Sequence, residues 1–195
     1  MRTLYLYGIS INKTGLIHLE DLPNLQEIHL SDFQMDEAVL TCLKKLHNRP
    51  TLYLSYANMN DAELIYLKDL ANLQSIYLRC TQISDSGLNY LQGLSDLQTL
   101  YLGETRLSDV GLVYLQNLIN IQVLDLNNTL ISDIGLAYLK DLDNLRILDL
   151  RNTKVTEAGL MHLQGLNKLK SLYLNGTAIK DTSVLNHLLG LDVEL

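Results

Sequence analysis

The chain is poor in positive charge and has no long apolar segment. Lysine and arginine number 15 against 22 aspartates and glutamates, which gives a formal net charge of −7 at pH 7. This balance disfavours DNA, RNA and anionic membranes as partners, because all three attract basic surfaces. Although 47% of the residues are hydrophobic, no stretch reaches the roughly 18 consecutive apolar residues that predict a membrane-spanning helix. The composition predicts a water-soluble protein without membrane insertion.

Motifs that carry chemistry are also lacking. The five histidines are scattered, and no metal-ligand spacing, nucleophile elbow or phosphate-binding glycine loop occurs. The recurring D-x-G-L belongs to a repeat and is not a catalytic motif. We therefore expect a protein that is not an enzyme and that has no catalytic residue, cofactor or resident metal.

What the chain contains instead is a period of 24 residues. Residues 73–96, 97–120 and 121–144 align without a gap, and the sixth position of every unit is leucine: Leu6, Leu30, Leu54, Leu78, Leu102, Leu126, Leu150 and Leu174. A fixed period of this length is typical of a solenoid. We predict a single domain over residues 1–195, with repeats at 1–24, 25–48, 49–72, 73–96, 97–120, 121–144, 145–168 and 169–195.

Each repeat divides by its chemistry. Positions 3 to 7 alternate in polarity, which predicts a short strand with one buried face. A polar residue and an acid follow at positions 12 and 13, as in Ser84-Asp85, and they favour the start of a helix. This helix-dipole role is the preferred interpretation of the acidic column, and metal binding is the alternative. Apolar residues then recur at positions 16, 19 and 22, so we expect a helix of two or three turns held by stacking.

The run L-x-x-L-x-L-x-x-T-x-I-S-D-x-G-L-x-Y-L at 73–91 resembles the leucine-rich repeat family, and similar runs cover essentially the whole chain. The resemblance implies an α/β horseshoe of about eight β-loop-α repeats, with a parallel sheet on the concave face and short helices on the convex face. It also implies binding through the concave face, often of another protein. Where the family usually has an inward-turned Asn or Cys that bonds backbone groups, this chain has Thr81, Thr105, Thr129, Thr153 and Thr177. The repeats are similar to those of bacterial members, some of which are effectors delivered into host cells.

Strand positions that point away from the core supply the candidate binding residues. Position 5 is mostly tyrosine, and equivalent residues of neighbouring parallel strands lie about 4.8 Å apart, so we expect a ladder of exposed tyrosines. Tyrosine flanked by arginine and aspartate is the composition of protein-binding hot spots. The alternative is that tyrosine simply suits strands and stabilises the sheet. We assign partner binding to Tyr53, Tyr77, Arg79, Tyr101, Asp125, Asn127, Asp149, Arg151 and Tyr173.

Two aspartates interrupt this tyrosine ladder. Asp125 and Asp149 occupy position 5 in neighbouring repeats, and like charges opposite each other in a sheet are unfavourable. We expect Arg151, two residues after Asp149 on the same face, to relieve the pair, or else a cationic group of a partner to do so. A metal is a weak alternative, because two carboxylates without further oxygen ligands make a poor site.

A second tyrosine column falls on the helical side of the repeats. It is most simply explained by packing between neighbouring helices, and a contact surface on the convex face is the alternative. The column consists of Tyr66, Tyr90, Tyr114 and Tyr138.

The two cysteines do not fit a disulfide. Cys42 falls on a helix and Cys80 at the end of a strand two repeats later, so they should lie on different faces. The disulfide-bonded caps common in secreted family members are therefore not available. This predicts a reducing compartment and a cytoplasmic protein, or one exported into a host cell without a classical signal peptide.

The favoured function is a non-catalytic module that binds a protein through its concave sheet. The runner-up is a structural or self-associating solenoid that acts through its ends, since neither end has the polar outer face that repeat arrays usually need. We favour a last repeat that caps itself, and hence a monomer. Binding of a small ligand or carbohydrate by the tyrosine face is a third hypothesis.

Overall fold

The computed structural model describes residues 2–6, 24–31, 39 and 50–195. These residues form one open parallel sheet in which every strand lies beside the next one in sequence. The described strands number nine, and each has three residues: β1 Thr3–Tyr5, β2 Glu27–His29, β3 Thr51–Tyr53, β4 Ser75–Tyr77, β5 Thr99–Tyr101, β6 Val123–Asp125, β7 Ile147–Asp149, β8 Ser171–Tyr173 and β9 Asp192–Glu194. Together with short helices on the opposite side, this sheet makes a leucine-rich-repeat-like α/β horseshoe, as predicted.

The register of the sheet follows the sequence period. Leu52 lies beside Ile76, and Ile76 lies beside Leu100, in pairs 24 residues apart. These residues are almost completely buried, as is Leu102 at the next inward position. Each repeat therefore adds one layer of leucines to a continuous core, which is why no repeat could bury its apolar side without its neighbours.

Most of the helices that the structure describes on the convex side have a single turn instead of the predicted two or three. The α-helices α1 Asp61–Leu64, α2 Asp85–Leu88 and α3 Asp133–Leu136 have one turn each. Within residues 50–195 the other helical segments are 3₁₀-helices: Gly111–Tyr114, Ala137–Leu139, Glu157–Leu163 and Ser183–Leu185. Glu157–Leu163 has about two turns at three residues per turn. The apolar residues repeat every three positions, so the chain continues in three-residue turns in which Leu67, Leu70 and Leu73 each donate to the residue three before. A spacing of three matches the 3₁₀ period rather than the 3.6 residues of an α-helix.

The threonine column turns inward, as the family resemblance implied. The hydroxyl of Thr105 donates to the carbonyl of Leu102 at 2.6 Å, and Thr129 does the same with Leu126. Thr81, Thr153 and Thr177 make the equivalent bond at 2.7 Å. Each bond satisfies a carbonyl where the chain leaves the strand, which a buried loop requires.

From Asp61 to Glu157 the acidic column links neighbouring repeats. Oδ1 of Asp85 accepts from the backbone N–H of Ser108 at 2.8 Å, and Oδ2 accepts from the Ser108 hydroxyl at 2.5 Å. Asp109 binds Ser132 in the same way. These aspartates lie in or next to a first helical turn, as the helix-dipole interpretation predicted. Their principal contacts, however, are hydrogen bonds to the next repeat, which that interpretation did not predict.

Glycine recurs two residues after the acidic position, where the aspartate of the preceding repeat leaves no room for a Cβ. A Cβ on Gly111 would lie 2.5 Å from Oδ1 of Asp85 in the preceding repeat. The carboxylates of Asp61, Asp109 and Asp133 approach Gly87, Gly135 and Gly159 in the same way. Where Glu157 replaces aspartate, its carboxylate accepts instead from the backbone of Lys180 at 2.8 Å, and Ser183 stands in the glycine position.

The tyrosines of the helical side are partly buried and pack against the core. This arrangement holds for Tyr66, Tyr90, Tyr114 and Tyr138. It supports the packing interpretation of this column over a contact surface on the convex face.

The last strand was not predicted. β9 pairs with β8, but Asp192 is only 21 positions after its partner Ser171, whereas the preceding strand pairs are 24 apart. In the last repeat Leu185 and Leu188 are buried and Asp192 follows closely. The chain thus returns to the sheet after a connection three residues shorter than in the other repeats. The prediction missed this strand because it assumed a constant period of 24 residues.

Candidate binding site on the concave face

Five side chains of the concave face form one continuous stack of rings. The ring centroids of His29 and Tyr53 lie 3.7 Å apart at 8°, those of Tyr53 and Tyr77 4.2 Å apart at 12°, and those of Tyr77 and Tyr101 4.7 Å apart at 18°. Tyr5 adds a tilted ring 4.3 Å from His29. The parallel strands supply the spacing, because aligned residues lie about 4.8 Å apart. We call these five residues the aromatic stack.

The tyrosines of the aromatic stack are less exposed than predicted. Tyr5, at the outer end, is 56% exposed, whereas Tyr53, Tyr77 and Tyr101 are half-buried. The expectation of exposed rings was wrong because Tyr53 and Tyr77 each have a ring on both faces, and Tyr101 stacks on Tyr77. The stack therefore contributes to the stability of the sheet as well as to its surface.

Burial disfavours charge on three members of the aromatic stack, His29, Tyr77 and Tyr101. Burial, aided by a hydrogen bond with Tyr53, raises the pKa of Tyr77 to about 12, and burial also raises the pKa of Tyr101. Burial lowers the pKa of His29 against the opposing effect of the Glu27 carboxylate. Tyr77 and Tyr101 thus offer neutral hydroxyl groups to a ligand rather than charge.

Two buried carboxylates replace the rings on β6 and β7. Asp125 and Asp149 pair directly in the sheet and are 2% and 7% exposed. Arg151 donates to Asp149 from Nε at 2.9 Å and from Nη2 at 2.5 Å, and its guanidinium lies 5.5 Å from the ring centroid of Tyr173. The prediction that Arg151 relieves the aspartate pair is confirmed for Asp149.

Asp125 is less well compensated. Its Oδ1 accepts from the backbone and side-chain amides of Asn127, while Oδ2 accepts no hydrogen bond from the described residues. The nearest cation is Nε of Arg79, 3.4 Å from Oδ2. Burial raises the pKa of Asp125, and the bonds from Asn127 and the charge of Arg79 do not offset it.

Arg79 reaches Asp125 across an intervening repeat. Its Nη2 lies 3.1 Å from Oε1 of Glu104 and 3.4 Å from Oδ1 of Asn127, which is two repeats away. Gly103 occupies the equivalent position in between, and a Cβ there would lie 2.5 Å from Nδ2 of Asn127. Glycine therefore permits this polar network to close over β5.

A cavity of about 350 Å³ opens at the interruption of the stack. We call it the charged cavity; it is lined by Arg79, Tyr101, Val123, Leu124, Asp125, Ile147, Asp149, Arg151 and Tyr173. Six of the nine predicted binding residues line it, and Asn127 bonds its Asp125. Tyr53 and Tyr77 lie apart in the aromatic stack.

Sequence reasoning missed the apolar part of this lining. Val123 and Ile147 occupy position 3, on the same face as Asp125 and Asp149. Other described strands have serine, threonine or an acid at that position. The change to two apolar residues in the same two repeats as the aspartates is visible in the sequence and could have located the cavity.

Two absences concern only the part of the chain that the structure describes. Within it, no three histidine, cysteine or acidic side chains are arranged to hold a metal ion. Nor does any helix in those residues have the length and apolar character to cross a membrane.

The comparisons with known proteins agree with this architecture. Two family models described as leucine-rich repeats match residues 119–179 and 95–138. Internalin C2 from Listeria monocytogenes is 30% identical, with 91% of this chain and 74% of that one covered and a TM-score of 0.77. Another Listeria monocytogenes internalin, InlF, is 24% identical, with coverage of 90% and 49% and a TM-score of 0.75. Curated protein sequences gave no match.

A plant protein extends the likeness of fold. The peptide hormone receptor RGFR1, described in complex with RGF2, is 18% identical, with 100% of this chain and 32% of the receptor covered and a TM-score of 0.68. The chain spans about half the length of InlF and a third of the receptor. The fold and the site define a class of solenoids with an open concave sheet. Within that class, the chain belongs to the leucine-rich repeat family.

Proposed function

We propose that this protein binds a partner protein through the concave face of its sheet and that it is not an enzyme. The observation that carries the proposal is the charged cavity, which gathers tyrosine, arginine and buried aspartate on one open surface. Tyrosine and arginine are the residues that dominate binding energy at protein interfaces. Leucine-rich repeats are commonly protein-interaction modules, and the RGFR1 structure is described as a complex with RGF2.

The rigidity of the face supports the same proposal. The side chains that line the cavity stand on adjacent strands of a hydrogen-bonded sheet, and Asp149 fixes Arg151 through three side-chain bonds. A surface that is ordered before binding loses less conformational entropy when a partner docks. The aromatic stack acts chiefly as the support beside the cavity, because its inner rings already cover one another.

Site-specific photo-crosslinking tests this function. A photoreactive phenylalanine derivative would replace Tyr173 on the concave face or, as the matched control, Ile134, which is 70% exposed on the helical side. Both proteins would be irradiated in bacterial and in eukaryotic lysates. We expect a specific crosslinked protein from position 173 and not from position 134, after circular dichroism has shown that both variants fold.

The outcomes separate the hypotheses about location and role. A eukaryotic partner would support an exported effector, and a bacterial one a resident cytoplasmic protein. A partner captured equally from Ile134 would move the site to the convex side. Capture of nothing except copies of this chain would reject the concave interaction module in favour of self-association.

Self-association has one observation of its own. Beside β9, Leu189 is 85% exposed and Leu195 is 56% exposed. A second copy could cover these side chains at the outer strand. If so, light scattering should show a mass that rises with protein concentration and that returns to the monomer value in Leu189→Glu.

A further inference from the structure

The charged cavity combines three chemical surfaces. The order of the strands places Asp125 and Asp149 between Tyr101 on β5 and Tyr173 on β8. Val123, together with Ile147, adds an apolar side to the same cavity. A ligand that fits must therefore match aromatic and aliphatic walls together with an acidic base.

The lining of the cavity holds two arginines and two aspartates, and two further carboxylates, those of Glu104 and Glu194, act on the arginines from outside it. Arg79 is shared between Glu104, at 3.1 Å, and Asp125, at 3.4 Å. Arg151 is bound to Asp149 and is also influenced by the charges of Asp125 and Glu194. Four carboxylates thus surround two guanidinium groups, and the surplus is acidic.

Within the cavity, the carboxylate oxygen that lacks a hydrogen bond is Oδ2 of Asp125. Asp125 is 2% exposed and belongs to the lining of the cavity. Among the residues that the structure describes, its Oδ2 accepts no hydrogen bond, and Nε of Arg79, which forms an ion pair with it at 3.4 Å, donates none. Burying a carboxylate without full hydrogen bonding is costly, so a donor entering the cavity would recover that cost.

We propose that the charged cavity binds a basic side chain, lysine or arginine, of the partner protein, an inference that rests on the proposed function. The aliphatic stem lies against Val123 and Ile147, between the flanking rings, and the cationic head donates to Oδ2 of Asp125. An acidic ligand does not fit, because both arginines are already engaged by carboxylates and the acidic surplus would repel it.

The test is a titration of the folded chain with capped amino acids, followed by NMR of isotopically labelled tyrosine rings. The probes are the Nα-acetyl methylamides of lysine, arginine, norleucine and glutamate. We expect saturable shifts of Tyr101 and Tyr173 with the two basic probes and not with the neutral or acidic ones. Tyr66, on the helical side, serves as the internal reference.

Matched variants assign the effect to the cavity. Asp125→Asn should weaken binding of the basic probes about tenfold or more, since it removes the buried charge, whereas Asp143→Asn, the same change at an exposed aspartate, should leave it unaltered. Val123→Lys should also abolish binding, because the new ammonium group competes within the cavity. This second variant keeps the test decisive if Asp125→Asn does not fold.

Several results would overturn the inference. They are a silent titration, an equal response to norleucine or glutamate, and undiminished binding in Asp125→Asn or, if that variant does not fold, in Val123→Lys. Failure of the proposed function is recognised separately: a partner captured from Tyr173 with a silent titration rejects only the basic side chain. Cation binding without any concave partner rejects only the interaction module.

Discussion

Aspartates on the two sides of this solenoid have opposite environments. On the convex side, Asp61 accepts from the backbone and hydroxyl of Ser84 and from the hydroxyl of Ser86. Burial raises the pKa of Asp61, but these hydrogen bonds outweigh burial and hold it below its usual value. On the concave side, burial dominates and raises the pKa of Asp125. The same side chain stabilises the fold in one place and destabilises it in the other.

The opposite pKa shifts of Asp61 and Asp125 reflect two kinds of position. Asp61 belongs to a column of equivalent residues that connects repeats, whereas Asp125 lies where such a column ends. Both the acidic column and the aromatic stack make contacts between neighbouring repeats, as Asp85 does with Ser108 and Tyr53 with Tyr77. At β6 the aromatic column stops, and Asp125 brings a buried charge with an unsatisfied oxygen. A position that departs from an otherwise consistent pattern is where function is expected.

The largest expected effect comes from breaking a link of the acidic column. Asp85→Ala removes two bonds to Ser108 and leaves a half-buried N–H without its acceptor. Bonds to a charged group contribute about 1.5–3 kcal/mol each, so we expect a loss of about 3 kcal/mol in the free energy of unfolding. Urea denaturation measures it, and Asp96→Ala, at an exposed aspartate, is the control. Equal losses in both would contradict the linking role.

Breaking the aromatic stack should cost somewhat less. Tyr77→Ser removes two ring pairs, with Tyr53 and with Tyr101, and each pair contributes about 0.5–1.5 kcal/mol. We expect a loss of about 2 kcal/mol in urea denaturation. Tyr173→Ser, which lies outside the stack, should lose less. A neutral effect of Tyr77→Ser would restore the original expectation of freely exposed rings.

A double-mutant cycle sharpens the link between aspartate and glycine. Gly111→Ala should destabilise the protein by about 1–3 kcal/mol, the usual cost of overpacking, because its Cβ meets Oδ1 of Asp85. In an Asp85→Ala background most of this cost should vanish. Additive losses in the four-way comparison would show that the glycine is needed for another reason.

The smallest effect has the opposite sign. Asp125→Asn should stabilise the protein at pH 7 by about 0.5–2 kcal/mol, the range for relieving an unfavourable site. The pKa of Asp125 is raised in the folded state, so its charge costs stability at high pH and the cost fades as protonation sets in. The gain from Asn should therefore shrink as pH falls through the raised pKa and vanish below the ordinary value of 3.8.

Thermal unfolding as a function of pH measures this gain. Asp61→Asn is the contrasting variant, because the pKa of Asp61 is lowered in the folded state. It should lose stability at neutral pH and should match the wild type only once the pH has fallen below the folded pKa of Asp61. If both variants shifted in the same direction, the comparison between the two sides of the solenoid would be wrong.

Sequence alone went far toward the fold and part of the way toward the site. The leucine columns and the strands followed from periodicity, because Leu102 has an equivalent in every repeat. The inward turn of Thr105 and its equivalents followed from the resemblance to the leucine-rich repeat family. The assignment of Arg151 to Asp149 followed from their shared face. The length of most helices was overestimated, because apolar residues spaced three apart fit a 3₁₀-helix better than the α-helix that was predicted.

What the sequence determined by itself was the repeat and therefore the sheet, since a period of 24 allows each leucine only one inward position. What the tertiary structure decided was every contact between repeats: the bond from Asp85 to Ser108, the burial of the tyrosine rings, and the reach of Arg79 over Gly103. These contacts depend on distances between residues that lie 23 to 48 positions apart. Such distances are fixed only when the strands pair and the turns between them close.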